Sequence, residues 1–382
     1  MQVDHFKKFI SFSLVGSITL FPFLVLPSMV GILDDHTSLS TSMAGWVGAS
    51  GSFGAAIVGI ILALRIHRLN FRNIAKISLI LAIIIDLISA YFVNHGLLII
   101  FIRFFAGIFY GMAHVSALSS FPRYSDYEKG YGLLYVTEFI MSAIGLYLLR
   151  VYSDFIGASG MYLIFATLCF IALFFVRALP QNTEDVKPKK SSKSETKLLL
   201  TIVSLTVLFS YGIFETANTV QFTYIERFAV NLDFSPNQIG IALFWATIMG
   251  IPAAFIIIFI GQRFGTVPPL LIGIFISILS LALLLSTKTF FWFFIELCFI
   301  GASWAYCLTF ITTLLANLDK NGSMVAAGTS FATLGAAIGP AIAAIALSNS
   351  NFFRVFVLSI ILFLLAFIGF TSVITSERKR KI

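Results

Sequence analysis

Charge is what this chain has least of. Asp, Glu, Lys and Arg make up 11% of its 382 residues, against roughly 25% in a soluble domain. Cysteine is also rare: Cys169, Cys298 and Cys307 all fall within apolar runs, which argues for buried thiols rather than disulfides or a metal site. Absent as well are an H-E-x-x-H pair, a Walker loop, a G-x-S-x-G elbow and a C-x-x-C pair. Their absence argues against an enzyme and against an ATP-driven pump built from this chain alone, and no cofactor is expected. The net charge of +8 is scattered over loops and suits a membrane surface better than nucleic acid.

What the chain does have is apolar length. Hydrophobic residues reach 59%, with a mean hydropathy of +0.98. A spanning helix needs about 20 mostly apolar residues. Such runs fall near 10–33, 45–64, 74–93, 97–120, 131–149 and 160–178, and again near 198–225, 237–260, 267–287, 290–314, 323–347 and 352–375. The expected fold is therefore an all-α membrane protein with twelve transmembrane helices (spans 1–12) in two pseudo-symmetric six-helix bundles. The first run is too long for a signal peptide and no A-x-A-like site follows, so it reads as an uncleaved span.

Between the halves lies one long polar stretch, Pro180 to Lys197, with five lysines and Val186 as its one large apolar residue. Such a segment cannot bury enough surface to fold, so it reads as a linker joining domains 1–179 and 198–382. With both termini cytoplasmic, 20 of the 25 Lys and Arg residues fall inside. Four (Arg150, Arg227, Lys288 and Arg354) fall in outer loops, and Arg103 lies within a span. The expected location is the cytoplasmic (inner) membrane.

The halves repeat each other. Ser40 before span 2 and Ser235 before span 8 both look like helix N-caps. At the far ends of these spans His67-Arg68-Leu69-Asn70 parallels Gln262-Arg263-Phe264-Gly265 at the same offset of 195 residues. These residues carry a resemblance to the major facilitator superfamily. Its loop motif, Asp-Arg-x-Gly-Arg-Arg, is similar to the run His67, Arg68, Asn70, Arg72 and to Gln262, Arg263, Gly265, with His or Gln in place of Asp. Asn70 stands for the glycine, as a residue able to adopt the left-handed turn. The family's fourth-span motif, Arg-x-x-x-Gly-x-x-x-Gly, is present as Arg103, Gly107 and Gly111. Span 5 lacks the Gly-Pro motif of the family's drug antiporters, and a similar run, Gly335 to Pro340, occurs in span 11 instead.

Ionisable groups inside spans are costly and usually functional. Asp86 and Arg103 lie at matching depth on adjacent spans, either as a structural ion pair or with the arginine facing a cavity. Arg103, Gly107, Tyr110, His114 and Ala117 share one face of span 4. Tyr211, Glu215, Asn218 and either Gln221 or Phe222 share a face of span 7. Ser17 and Phe21 with Ser13 line span 1, Glu296, Ser303 and Trp304 lie on span 10, and Glu138 lies near the middle of span 5. The resemblance implies a cavity lined by spans 1, 4, 7 and 10. Small-residue faces on span 2 (Gly48, Ser52, Ala55, Gly59) and span 11 (Gly328, Ala332, Gly335, Gly339) suit close helix packing.

These residues point to a secondary transporter for a small organic solute, monomeric and working by alternating access. Desolvation lets buried carboxyl groups exchange protons near neutral pH, so protons are the expected driving ion. Glu215 leads the candidates, followed by Glu138, Asp86 and Glu296. The alternatives are a multidrug or metabolite efflux antiporter, or a non-transporting receptor or assembly protein on the same fold. For the orientation, single cysteines at 190 and at 36 in a cysteine-free background should label only from the inside and only from the outside. Labelling of position 190 from outside intact cells would reverse the topology.

Overall fold

The computed structural model describes residues 3–63, 70–124, 127–181, 202–260, 264–318, 323–347 and 351–380. These are helical nearly throughout, with no strand among the described residues. The chain divides into two compact units, Met1–Lys189 and Lys190–Ile382. In the first unit, span 1 is made of α1 (Val3–Leu24) and α2 (Leu26–His36). Spans 2 to 6 are α3 (Thr41–Ala63), α4 (Phe71–Tyr91), α5 (Gly96–Leu118), α6 (Tyr127–Val151) and α7 (Ser153–Phe175). The second unit opens with α8 (Ile202–Asn231) as span 7, and span 8 is again double, α9 (Pro236–Ile248) and α10 (Gly250–Ile260). Spans 9 to 12 are α11 (Val267–Leu284), α12 (Phe290–Leu318), α13 (Ser323–Ala346) and α14 (Phe352–Arg380).

Eleven of these spans are long and apolar enough to cross a membrane. The twelfth, α8, has 30 residues and carries the polar row around Glu215 that lowers its hydropathy. Proline explains both double spans. Pro27 has no N–H to give the Phe23 carbonyl, and the chain bends at Val25 (φ −103°, ψ 20°). Pro252 likewise cannot donate to Ile248, next to the break at Met249.

The two units use the same pairings. In the first, span 1 packs on spans 4, 5 and 6, span 4 on spans 2 and 3, and span 3 on span 6. In the second, span 7 packs on spans 10, 11 and 12, span 10 on spans 8 and 9, and span 9 on span 12. The tightest crossings match too. A Cβ on Gly107 would run into the Gly51 carbonyl of span 2, and a Cβ on Gly301 into the Ala246 carbonyl of span 8. Backbones that meet this closely leave room only for glycine. The small face of span 11 packs on span 7, where Gly335 meets Gly212 and the Thr216 hydroxyl donates to the Gly335 carbonyl at 3.1 Å. On span 2 the small residues serve two neighbours: Gly48 meets Leu26 and Met29 of span 1, while Gly51 and Gly54 meet span 4.

Both expected caps are present, Ser40 accepting from the Met43 N–H and Ser235 from the Gln238 N–H, each at 3.3 Å. Of the loop motifs, His67, Arg68, Gln262 and Arg263 lie outside the described residues. Gly265 adopts a left-handed conformation (φ 74°). Asn70 does not: with φ −84° and ψ 96° it is extended, and its side chain accepts the Asn73 N–H at 3.0 Å. The asparagine caps span 3 instead of turning left-handed, because its side chain can satisfy a free helix N–H. Arg72 joins the start of span 3 to the end of span 6, its Nε donating to the Leu179 carbonyl at 2.7 Å.

Three of the four residues expected in outer loops lie on helices instead, and only Lys288 is in a loop: Arg354 stands in the first turn of span 12 and is exposed. Arg150 and Arg227 lie inside spans 5 and 7 and are buried. Arg150 pairs with Asp35 at 2.9 Å, and Arg227 grips Glu226 through two nitrogens, Nε at 2.5 Å and Nη2 at 2.9 Å. An acid beside each arginine compensates its buried charge.

The crossings set a test. Gly107→Ala and Gly301→Ala should each lower thermal stability in detergent by an amount equal to about 1–3 kcal/mol of overpacking. Gly132→Ala, where nothing lies within 4 Å of the added carbon, should leave stability unchanged or raise it. Equal behaviour of all three would contradict the close approach.

Candidate functional site

In the first unit the polar residues gather where spans 3, 4 and 6 meet. Arg103 Nη1 donates to Asp86 Oδ1 at 2.5 Å and to Ser89 Oγ at 3.4 Å. The Tyr110 hydroxyl donates to the other oxygen, Asp86 Oδ2, at 2.5 Å, and the Cys169 thiol donates to that hydroxyl at 3.5 Å. The guanidinium lies over the Tyr162 ring, 4.8 Å from its centroid. Asp86 is fully buried and Arg103 is 4% exposed. Of the two readings open for this pair, the geometry is that of a closed ion pair, with both carboxylate oxygens engaged.

The stripe on span 4 thus divides among its neighbours. Arg103 and Tyr110 turn to span 3, Gly107 to span 2, and His114 to span 1, where its Nδ1 lies 3.1 Å from the Gly16 carbonyl. Ser13 and Ser17 of span 1 are buried, and their hydroxyls have no partner among the described residues. Phe21 is a packing residue, edge-on to Phe165 at 5.8 Å and close against Gly145. Glu138 sits on the span 5 face that meets span 1, between Leu134 against Gly16 and Ser142 bonded to the Leu24 carbonyl. It is 8% exposed and has no hydrogen-bond partner among the described residues.

In the second unit the centre is Glu215. Its Oε2 accepts from the Trp304 indole of span 10 at 3.5 Å, and its Oε1 is buried with no partner among the described residues. Around span 7 from Glu215, one side carries Gly212, Thr216 and Thr219 against span 11. The other side carries Phe214 and Phe228 against Phe363 and Phe356 of span 12. Gln221 belongs to that second side, about 120° around the helix from Glu215, so Phe222 rather than Gln221 continues the Glu215 row. Tyr211 and Asn218 flank Glu215, but the Asn218 amide donates to its own helix, to the Phe214 carbonyl at 2.9 Å.

Span 10 also divides. Trp304 turns to span 7, whereas Glu296, Ser303 and Cys307 face span 9. Glu296 accepts from Thr287 at 2.6 Å, and Ser303 shares a 2.7 Å hydrogen bond with Ser277. One residue, or 100° of helix, separates Ser303 from Trp304 and sends them to opposite neighbours. Glu226 lies just beyond the apolar run that ends near 225, and the sequence pattern does not single it out. The only signal was its position beside Arg227, where an adjacent pair of opposite charges can neutralise itself.

The ion pair can be tested against its alternative. Asp86→Asn leaves a buried arginine unpaired and should destabilise the protein by about 3–5 kcal/mol. Asp86→Asn with Arg103→Gln should recover much of that loss in thermal unfolding. Single variants as stable as the wild type would mean the pair does not hold the seam.

No curated protein matches this sequence. Among solved structures, a D-xylose-proton symporter is similar to this chain with a TM-score of 0.73 and 17% identity, covering 96% of this chain and 97% of the other. At that identity the likeness speaks for the fold. The family model described as Major Facilitator Superfamily matches residues 10–231 and again 207–382, once for each half. With twelve spans, two like-paired units and a family match along nearly its whole length, this multi-pass membrane protein belongs to the Major Facilitator Superfamily.

Proposed function

We propose that the protein is a proton-coupled secondary transporter that moves a small organic solute across the cytoplasmic membrane by alternating access. In this proposal the protein works as a monomer, with both termini and the 180–197 linker in the cytoplasm. The observation that carries it is Glu215, a carboxylate inside span 7 held by a single long hydrogen bond from Trp304 with its second oxygen unengaged. A carrier of protons has to change charge during the cycle, and a group with one weak partner can do so without dismantling its surroundings. Asp86, held at both oxygens, is poorly suited to that task.

Trp304 has a fixed part in this mechanism. An indole N–H can only donate, so it supports the charged carboxylate and does not stop proton uptake at the free oxygen. Glu138, buried beside span 1 with no partner among the described residues, is the next candidate. The similar structure is that of a D-xylose-proton symporter, which supports the proton-coupled reading and makes D-xylose a suitable probe.

The experiment is uptake of a labelled panel, D-xylose included, into proteoliposomes under an imposed pH gradient. Accumulation driven by inward protons supports uptake; proton-driven extrusion would favour the efflux reading, and no flux at all the receptor reading. For the solute found, Glu215→Gln should abolish accumulation against a gradient while exchange at equal pH persists. If binding falls together with accumulation, Glu215 contacts the solute. Normal accumulation by the variant would move the assignment to Glu138.

A further inference from the structure

The seam between spans 3 and 6 ends in a group of cations. Span 3 starts at Phe71, and a short turn, Val176–Ala178, closes span 6. Arg72 joins the two ends: its backbone N–H donates to the Pro180 carbonyl at 3.2 Å and its Nε to the Leu179 carbonyl at 2.7 Å. Lys76 stands one turn further along span 3, and Arg177 lies in the turn that closes span 6. Both are exposed, and neither has an ion-pair or hydrogen-bond partner among the described residues.

The two side chains belong to the outward faces of their spans. At about 100° per residue Lys76 is turned only about 40° around span 3 from Arg72, and Ile80 continues from it along the exposed face. On span 6 the exposed Phe170 and Phe174 lead to Arg177 in the same way. Among the described side chains no acid lies at this end of the first unit. Asp86 and Glu138 are buried within their spans, while Asp34, Asp35 and Asp154 stand at the other end.

In a multi-pass membrane protein an exposed apolar seam of this kind is covered by lipid. Acyl chains lying along Ile80 and Phe174 bring a headgroup to the level of the three cations. A phosphate accepts from guanidinium and ammonium groups alike, and basic pockets between spans select anionic headgroups. The ammonium of an ethanolamine headgroup would find no carboxylate here among the described side chains.

We infer that this end of the seam between spans 3 and 6 binds an anionic phospholipid, with Arg72, Lys76 and Arg177 holding its phosphate. Arg72 is the fixed donor, because its Nε bond anchors the guanidinium at the seam. Lys76 and Arg177 supply charge on long stems from either helix. The site is separate from Glu215 and does not depend on what the protein transports.

Native mass spectrometry of the intact protein tests this with phosphatidylglycerol and phosphatidylethanolamine of identical acyl chains. The wild type should retain phosphatidylglycerol several-fold better. Lys76→Gln and Arg177→Gln replace exposed side chains without partners, so the fold should tolerate both. Each should weaken phosphatidylglycerol retention about fivefold, and the pair more than either, with phosphatidylethanolamine unaffected. Lys288→Gln removes an exposed loop cation of the second unit and should leave retention unchanged. Equal retention of the two lipids by the wild type, or wild-type retention of phosphatidylglycerol by the double variant, would overturn the proposal. So would ready displacement of the lipid by inorganic phosphate, since the cations would then take a soluble anion and not a membrane lipid.

Discussion

Hydrocarbon offers no hydrogen bonds, and that constraint governs where every polar side chain of this protein lies. A polar group on a span must find its partner on its own helix or across a seam between helices. The first solution is widespread: Thr19, Thr137, Thr206, Thr247 and Thr312 all return their hydroxyls to the carbonyl four residues back. The second is used more sparingly, and many of its contacts lie at the seams of spans 4 and 10 with their neighbours.

The same constraint explains which features were legible beforehand. Span positions, the repeat and the matching depth of Asp86 and Arg103 follow from apolar length, offset and distance along a helix, all of which are one-dimensional quantities; which way the arginine turns does not. Direction around a helix is different. Arg103, Tyr110 and His114 do share a stripe, yet the stripe is wide enough to touch spans 1 and 3 together. Gln221 and Phe222 were equivalent on spacing, and packing of Phe214 and Phe228 on span 12 decided between them. Asn70 illustrates another limit: one residue type suits both a left-handed turn and an N-cap, and only the backbone tells which is used.

Duplication preserved the scaffold of the two units and let their chemistry diverge. Gly107 on Gly51 and Gly301 on Ala246 are the same crossing. Beside the first stands a charged network, Asp86 with Arg103 and Tyr110; beside the second stand Ser277 with Ser303 and Glu296 with Thr287. Neither of these second-unit contacts joins opposite charges. The first unit thus keeps its seam of spans 3 and 4 closed by an ion pair, while the corresponding seam of the second unit relies on hydroxyl groups.

That difference bears on which acid can work. Separating a buried ion pair costs several kcal/mol, because it leaves two charges without compensation in a poorly polarisable setting. Giving up one hydrogen bond of 3.5 Å between an indole and a carboxyl group disturbs a single weak contact and separates no charges. A carboxyl group that must be charged in one state and neutral in another is therefore far easier to place at Glu215 than at Asp86. The ion pair is suited to keeping spans 3, 4 and 6 together as one body through a cycle. A weakly held acid on span 7 is suited to being the part whose charge changes, because burial opposes its charge while one indole donor supports it, and no ion pair has to be broken for the proton to come or go.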